Sequence, residues 1–158
     1  MVSIISIFSS LIISFSGLFF PLGAIFHFEG QTPNNLGVVN SQLASCPPSP
    51  NCVVSQDADS SHYIKPLTYQ LDRTQAYDSF LKILSVVPDT KIVEQKDNYI
   101  RTESRSKIMG FVDDAEFYFP EGEKVIQWRS ASRLGESDLG VNRRRLEQIR
   151  LAFDDLVN

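Results

Sequence analysis

The spacing of apolar residues along the chain predicts two amphipathic helices. Between Asp72 and Pro88, apolar residues recur on one helix face, at Ala76, Tyr77, Phe80, Leu81, Leu84 and Val87. Asp72 and Gln75 have the spacing of a capping box at the start of this helix, and Pro88 ends it. A second helix is expected from about Asp138 to Leu156, and its apolar face consists of Leu139, Leu146, Ile149, Phe153 and Leu156.

The segments between these helices have the alternation of strands. Strands are expected at 62–71, 91–95 and 99–106, and then at 111–119 and 124–133, which the turn 120–123 separates. The element order is therefore β-α-β-β-β-β-α. This order predicts an α+β fold, with an antiparallel sheet of four to five strands, two helices packed on one face and a hydrophobic helix before them.

A four-residue turn at 120–123 would fix the register of the last hairpin. The core-facing pairs would be Asp113–Ser130, Ala115–Trp128 and Phe117–Ile126, and the opposite face would carry Asp114–Arg129 and Glu116–Gln127. The register predicts an exposed ion pair between Asp114 and Arg129. It also predicts a buried Asp113 that accepts hydrogen bonds from Ser130, from Asn142 or from the N–H groups in the first turn of the last helix. We interpret this cluster as a structural polar contact between helix and sheet; the alternative is an active site.

Arginines are concentrated around the start of the last helix. Arg143 with Glu147, and Arg150 with Asp154, have the spacing of local ion pairs, and Arg144 is expected in solvent. Asp138 has the position of an N-cap, whereas Arg133 has no local partner and could help the helix N-terminus hold an anion. The expected binding residues are therefore Asp114, Arg129, Arg133, Asp138 and Asn142.

The first 28 residues contain no Lys, Arg, Asp or Glu. A stretch of this length can cross a bilayer, so residues 2–28 are expected to form an uncleaved membrane anchor. The alternative is a signal peptide cleaved after Ser16, which would leave a second apolar stretch exposed. Every basic residue lies at or beyond Lys65, so positive charge does not hold the flank in the cytoplasm. The predicted division is 1–28 anchor or signal, 29–61 linker with cysteine loop, and 62–158 α+β domain.

The two cysteines enclose a proline-rich loop, CPPSPNC. A disulfide between Cys46 and Cys52 is the expected state in an oxidising compartment. A metal site completed by His62 is the alternative, but it lacks a fourth ligand. We therefore expect no metal and no cofactor. The net charge of −4 also argues against nucleic acid as a partner.

Four segments of the chain resemble a known family, and they span most of Leu43 to Phe153. They are CPPSPNCVVSQ, HYIKPLTY, GFVDDAEFYF and RSASRLGESDLGVNRRRLEQIR. They are similar to the domain-of-unknown-function family 1499 of bacterial, algal and plant proteins, although Val54 stands where a small polar residue is expected. The resemblance implies no activity. Its members often look exported or membrane-anchored and include cyanobacterial and plastid proteins, so the resemblance implies a periplasmic or thylakoid-lumen setting.

Two functions are compatible with these observations. The first is a membrane-tethered, non-catalytic binding or assembly domain in the thylakoid lumen or periplasm, with a protein partner in a membrane complex. The second is an exported hydrolase that uses His62 with Asp113 or Glu116, since His62 is the only histidine beyond the apolar segment. The hydrolase requires that these side chains converge on an open pocket. The binding domain does not require this convergence.

Overall fold

A computed structural model of the protein describes residues 28–157. It contains six strands and two helices: β1 (Cys52–Val54), β2 (Leu67–Thr68), α1 (Arg73–Leu84), β3 (Thr90–Lys96), β4 (Tyr99–Arg105), β5 (Val112–Tyr118), β6 (Val125–Ser132) and α2 (Val141–Val157). The strands form one antiparallel sheet in the order β1-β6-β5-β4-β3, and β2 pairs with the start of β6. The predicted α+β class is confirmed.

The main core lies between the sheet and the two helices. Phe80 of α1 contacts the rings of Phe117, Phe119 and Phe153, with centroids 4.9, 5.9 and 5.8 Å away. These aromatic side chains, with Trp128, are fully buried. Apolar burial of this kind contributes about 1.5–3 kcal/mol for each large side chain. Both helices therefore pack on the same face of the sheet, as the element order predicts.

Both helices begin near the predicted residues. The Asp72 carboxylate accepts a hydrogen bond from the N–H of Gln75 at 2.9 Å, so the predicted cap of α1 is present. α2 begins at Val141, three residues later than expected. The Asp138 carboxylate nevertheless caps it, because its oxygens accept from the N–H groups of Gly140 and Asn142 at 2.9 and 2.7 Å.

The predicted linker 29–61 contributes strand β1. Cys52, Val53 and Val54 pair with Ala131, Ser130 and Arg129 of β6. Three residues in a proline-rich loop are too few for alternation to identify a strand. Conversely, the strand predicted at 62–71 is reduced to Leu67–Thr68, because Pro66 cannot donate to a ladder.

The register of the β5–β6 hairpin differs from the predicted one by two residues. Asp113 pairs with Ser132 rather than Ser130, and Glu116 rather than Asp114 pairs with Arg129. The connection is longer than four residues, since the last β5–β6 pair is Tyr118–Gln127 and the first residues of β6, Val125 and Ile126, pair only with β2. A shift of two residues leaves every side chain on its predicted face.

The second face of the sheet is covered by residues 28–45, which we call the cover segment. Leu43 joins Val54, Tyr99 and Tyr118 in a small buried cluster on this face. At the other end of the segment, Gly30 has φ +67°, and a Cβ there would lie 2.9 Å from the side chain of Arg133. Side chains on this face are therefore enclosed between the sheet and the cover segment.

Candidate functional site

An open cleft lies at the end of the sheet where three connections meet. These connections are 85–89 between α1 and β3, 106–111 between β4 and β5, and 133–140 between β6 and α2; we call this the loop end. The cleft has a volume of about 300 Å³, and its walls include Pro88, Arg105, Phe111, Leu134 and Val141 around Asp113 and Arg145. This combination of apolar walls and a few polar groups is typical of binding pockets.

Asp113 and Arg145 form an ion pair in the cleft. Arg145 donates from Nη2 to Asp113 Oδ2 at 2.8 Å, and the Ser132 hydroxyl donates to Asp113 Oδ1 at 2.6 Å. Asp113 is buried, as predicted, but its partners are Ser132 and Arg145 rather than Ser130 and Asn142. Each carboxylate oxygen of Asp113 thus accepts a hydrogen bond, one from a guanidinium and the other from a hydroxyl group.

Asn142 holds the cleft arginine in position. Its Oδ1 accepts from Arg145 at 2.9 Å and from Ser130 at 2.5 Å, while its Nδ2 donates to Asn51 O at 3.2 Å and to Ser132 Oγ at 3.1 Å. The side chain is fully buried. Asn142 therefore connects α2, β6 and the cysteine loop, which agrees with the predicted polar contact between helix and sheet.

A second polar cluster lies on the opposite face, beneath the cover segment. Asp114 accepts hydrogen bonds from Arg101 at 2.9 Å and from Arg133 at 2.7 and 3.0 Å. Glu103 contacts the same two arginines. Hydrogen bonds to Asp114, offset in part by burial, raise the pKa of Arg133. The expectation that Arg133 has no partner is wrong, because these two acids bind it.

Glu116 and Arg129 continue this cluster deeper into the protein. Arg129 donates to Glu116 Oε2 at 3.2 Å, and Tyr99 and the N–H of Gly37 donate to Oε1 at 2.9 and 2.7 Å. Burial raises the pKa of Tyr99, and the Glu116 carboxylate raises it further. Within residues 28–157, Arg129 Nε is buried without a hydrogen-bond partner. The predicted exposed Asp114–Arg129 pair is therefore wrong: both residues are buried, and each has a different partner.

The arginines of α2 also make contacts beyond the predicted local pairs. Arg143 donates to the carbonyls of Ser61 and Tyr63 at 2.8 and 2.7 Å, rather than to Glu147. Arg150 donates to Glu147 at 2.9 Å and stacks over the Trp128 ring, 4.6 Å from its centroid. These side chains fasten α2 to the chain around β2, so they are structural.

His62 lies away from the cleft, in the turn before β2. Its Nδ1 is 2.7 Å from Asp59 Oδ2 and its Nε2 is 3.2 Å from Ser49 O, and the hydrogen bond to the Asp59 carboxylate raises the pKa of His62. Asp113 and Glu116 lie on opposite faces of β5, and neither His62 nor Glu116 lines the cleft. The side chains that the hydrolase hypothesis requires do not converge.

The predicted disulfide between Cys46 and Cys52 is confirmed, with a Cα–Cα distance of 5.6 Å. The metal alternative would have required both thiols together with His62. Within residues 28–157, no group of three or more His, Cys, Asp or Glu side chains could hold a metal ion.

Sequence reasoning did not identify Ser132 and Arg145 as parts of the site. Their positions carry a weak signal. Ser132 shares a face of β6 with Ser130, and Arg145 lies one turn after Asn142 on α2.

The predicted binding residues Asp114, Arg129 and Arg133 lie beneath the cover segment, so a partner would have to displace it. Asp138 and Asn142 lie at or beneath the cleft, and the binding role of all five stays a prediction.

The expected membrane anchor lies outside the described residues, except for Phe28. Within residues 28–157, neither helix is both long and apolar enough to cross a bilayer.

No curated protein matches the chain. One family model, that of a protein of unknown function designated DUF1499, matches residues 42–153 and thus all six strands, α1 and most of α2. The chain therefore belongs to the DUF1499 family, as its four sequence motifs indicate.

Proposed function

We propose that this protein is a membrane-tethered binding or assembly domain on the lumenal or periplasmic side, and that its loop-end cleft binds a protein of the same membrane. The observation that carries the proposal is the partly buried Asp113–Arg145 pair in an open cleft whose walls include the partly exposed side chains of Phe111, Leu134 and Val141. Such a cleft offers apolar contact together with one fixed charged group, which gives a ligand its orientation.

The geometry of Arg145 suits recognition of a carbonyl or carboxylate group. A guanidinium has five N–H donors in a fixed plane. Two of its nitrogens are held by Asp113 and Asn142. The side chain lies within the cleft and also borders a neighbouring shallow pocket between Val86 and Ala152. Arg145 is thus preorganised, and its remaining N–H groups can donate hydrogen bonds to a ligand. Preorganisation reduces the entropy lost on binding.

Three features support the tether and its orientation. Residues 2–28 are apolar and uncharged, the following flank has no basic residue before Lys65, and the disulfide is typical of an oxidising compartment. A protein partner in the same membrane would be held close to the cleft, since both molecules are confined to two dimensions. Such confinement raises the effective concentration of the partner, so a modest cleft can suffice.

Site-specific photo-crosslinking in the native membrane tests the proposal. Benzoylphenylalanine replaces Val141, which lines the cleft, or Leu151, which is exposed on the same helix outside it. We expect a discrete protein adduct from position 141 and none from position 151. Adducts from both positions, or from neither, would contradict a specific cleft partner. An adduct of lipid mass alone at position 141 would also contradict it.

A further inference from the structure

Exposed apolar side chains are concentrated at the loop end. Of the twelve large hydrophobic residues exposed in 28–157, eight lie there: Phe28, Val86, Ile108, Met109, Phe111, Leu134, Leu139 and Val141. Ile108 is 73% exposed and Leu139 is 84% exposed. Isolated apolar residues on a surface are ordinary, but a concentration of them at one end of a domain marks an interaction surface.

The chain enters the domain at this same end. Phe28 stacks on Phe111 with ring centroids 5.6 Å apart, and its N–H donates to Met109 O at 3.2 Å. The next residue, Glu29, pairs with Arg105 at 2.7 Å. The uncharged N-terminal stretch of the sequence thus ends at the loop end. Residues 2–21 suffice for a bilayer span of about 20 residues, and the seven that remain, 22–28, extend over at most about 25 Å, so a membrane reached by this stretch lies near the loop end.

From these two observations we infer that the loop end is a lipid-binding surface: the 106–110 loop, led by Ile108, inserts into the headgroup region of the membrane that holds the N-terminal segment. The inference rests on the tether of the proposed function and adds the orientation of the domain. The cleft then opens toward the bilayer. Its protein ligand is accordingly a segment close to the membrane surface.

The local structure of the 106–110 loop suits contact with lipid. The N–H of Ser106 donates to Phe111 O at 2.9 Å, and the N–H of Gly110 donates to Ser106 O at 3.1 Å. The Ser106 hydroxyl accepts from the N–H of Phe111 at 3.0 Å. Backbone groups that are bonded within the loop need not lose water on insertion, which is the main cost of placing irregular backbone near hydrocarbon.

The charges near this loop favour membrane binding through apolar contact rather than through attraction to anionic lipid headgroups. Lys107 is exposed and can extend toward the headgroups, while its ammonium also lies 3.5 Å from Asp89. Arg105 is paired with Glu29. Because the basic side chains at the loop have acidic neighbours, we expect binding to neutral phosphatidylcholine with little dependence on salt.

Tryptophan quenching in vesicles tests the inference on the full chain. The chain is reconstituted into phosphatidylcholine vesicles brominated on the upper part of the acyl chains, and Ile108→Trp is compared with Leu156→Trp. Leu156 is exposed at the far end of α2, whose 17 residues span about 25 Å. The buried native Trp128 provides the baseline, measured on the unmodified chain.

We expect bromolipid to quench the added emission of Ile108→Trp several-fold more than that of Leu156→Trp. If the chain floats with the vesicles but Ile108→Trp is not quenched, the lipid contact is overturned while the tether stands. If Ile108→Trp emission is blue-shifted but protected from bromolipid, protein covers this end, for instance a second copy, and the inference is equally overturned. A chain that does not float with the vesicles contradicts both tether and lipid contact.

Discussion

The N–H of Gly37 donates a hydrogen bond to the carboxylate of Glu116, 79 residues later in the chain, at 2.7 Å. This contact joins the middle of the cover segment to the centre of the sheet. Glu116 has no exposed surface, and Arg129 donates to its other oxygen. The stability of the second face therefore depends on one buried carboxylate that serves two separate parts of the chain.

Glu116→Gln is expected to destabilise the fold by about 3–5 kcal/mol, because it leaves the Arg129 guanidinium buried without a counter-charge. Denaturant unfolding measures the loss, and Glu123→Gln is the matched control at an exposed position. In the double variant Glu116→Gln with Arg129→Met, the loss should be smaller than the sum of the two single losses. An additive result would mean that the two side chains do not interact.

Asp114→Ala should cost more stability than Asp113→Ala. Removal of Asp114 leaves Arg101 and Arg133 without this acceptor beneath the cover segment, at a cost of about 3–5 kcal/mol. Removal of Asp113 frees Arg145, which lines the open cleft and can be hydrated, so we expect about 1–3 kcal/mol. Thermal melts of the two variants compare them directly. The reverse order would indicate that the cover segment does not shield the second face.

The charge of His62 should depend on Asp59. Its pKa is raised above the ordinary 6.5, chiefly by the hydrogen bond that it donates to Asp59, and burial and Arg143 partly oppose this rise. The hydrogen bond between His62 and Asp59 therefore stabilises the fold fully below about pH 6.5, and this contribution is lost as pH rises through the folded-state pKa of His62. In an NMR titration, Asp59→Asn should lower the His62 pKa, whereas the exposed Asp155→Asn should leave it unchanged. An unchanged pKa in Asp59→Asn would contradict the hydrogen bond.

Replacement of both Cys46 and Cys52 by Ala should lower the free energy of unfolding by about 2–3 kcal/mol, since the bridge closes a short loop. Reductant should reproduce the loss in the unmodified chain and have no effect on the double variant, as measured by urea unfolding. Mass spectrometry of protein isolated without reductant should find no free thiol. Free thiols at both positions would also remove the support for an exported domain.

The mature protein is expected to retain residues 2–28. N-terminal sequencing of the protein from its native membrane should begin at residue 1 or 2. A start anywhere from Gly17 to Glu29 would show a cleaved signal and would contradict the anchor. The photo-crosslinking result at position 141 would then decide whether the cleft has a partner without the tether.

The sequence predicts which face of the sheet each residue occupies, but not which residues meet across it. Asp113 and Asp114 lie on opposite faces as predicted, because alternation is unaffected by a register shift of two. Their partners depend on where the hairpin closes, and the last β5–β6 pair, Tyr118–Gln127, lies further from the turn 120–123 than the sequence predicts. The burial of Arg133 could not be predicted either. It requires the cover segment, which has no periodic pattern and makes its contacts over long sequence distances.

The sheet ends at β3, and this strand carries features that discourage edge-to-edge association of two copies. Its pairing with β4 is interrupted between Ile92 and Glu94, and Lys91, Glu94 and Lys96 place charges along it. An irregular, charged edge is a poor template for another strand. Copies tethered to one membrane would meet far more often than copies in solution. The irregular, charged edge at β3 would then allow a high density of copies in the membrane without the growth of intermolecular sheets.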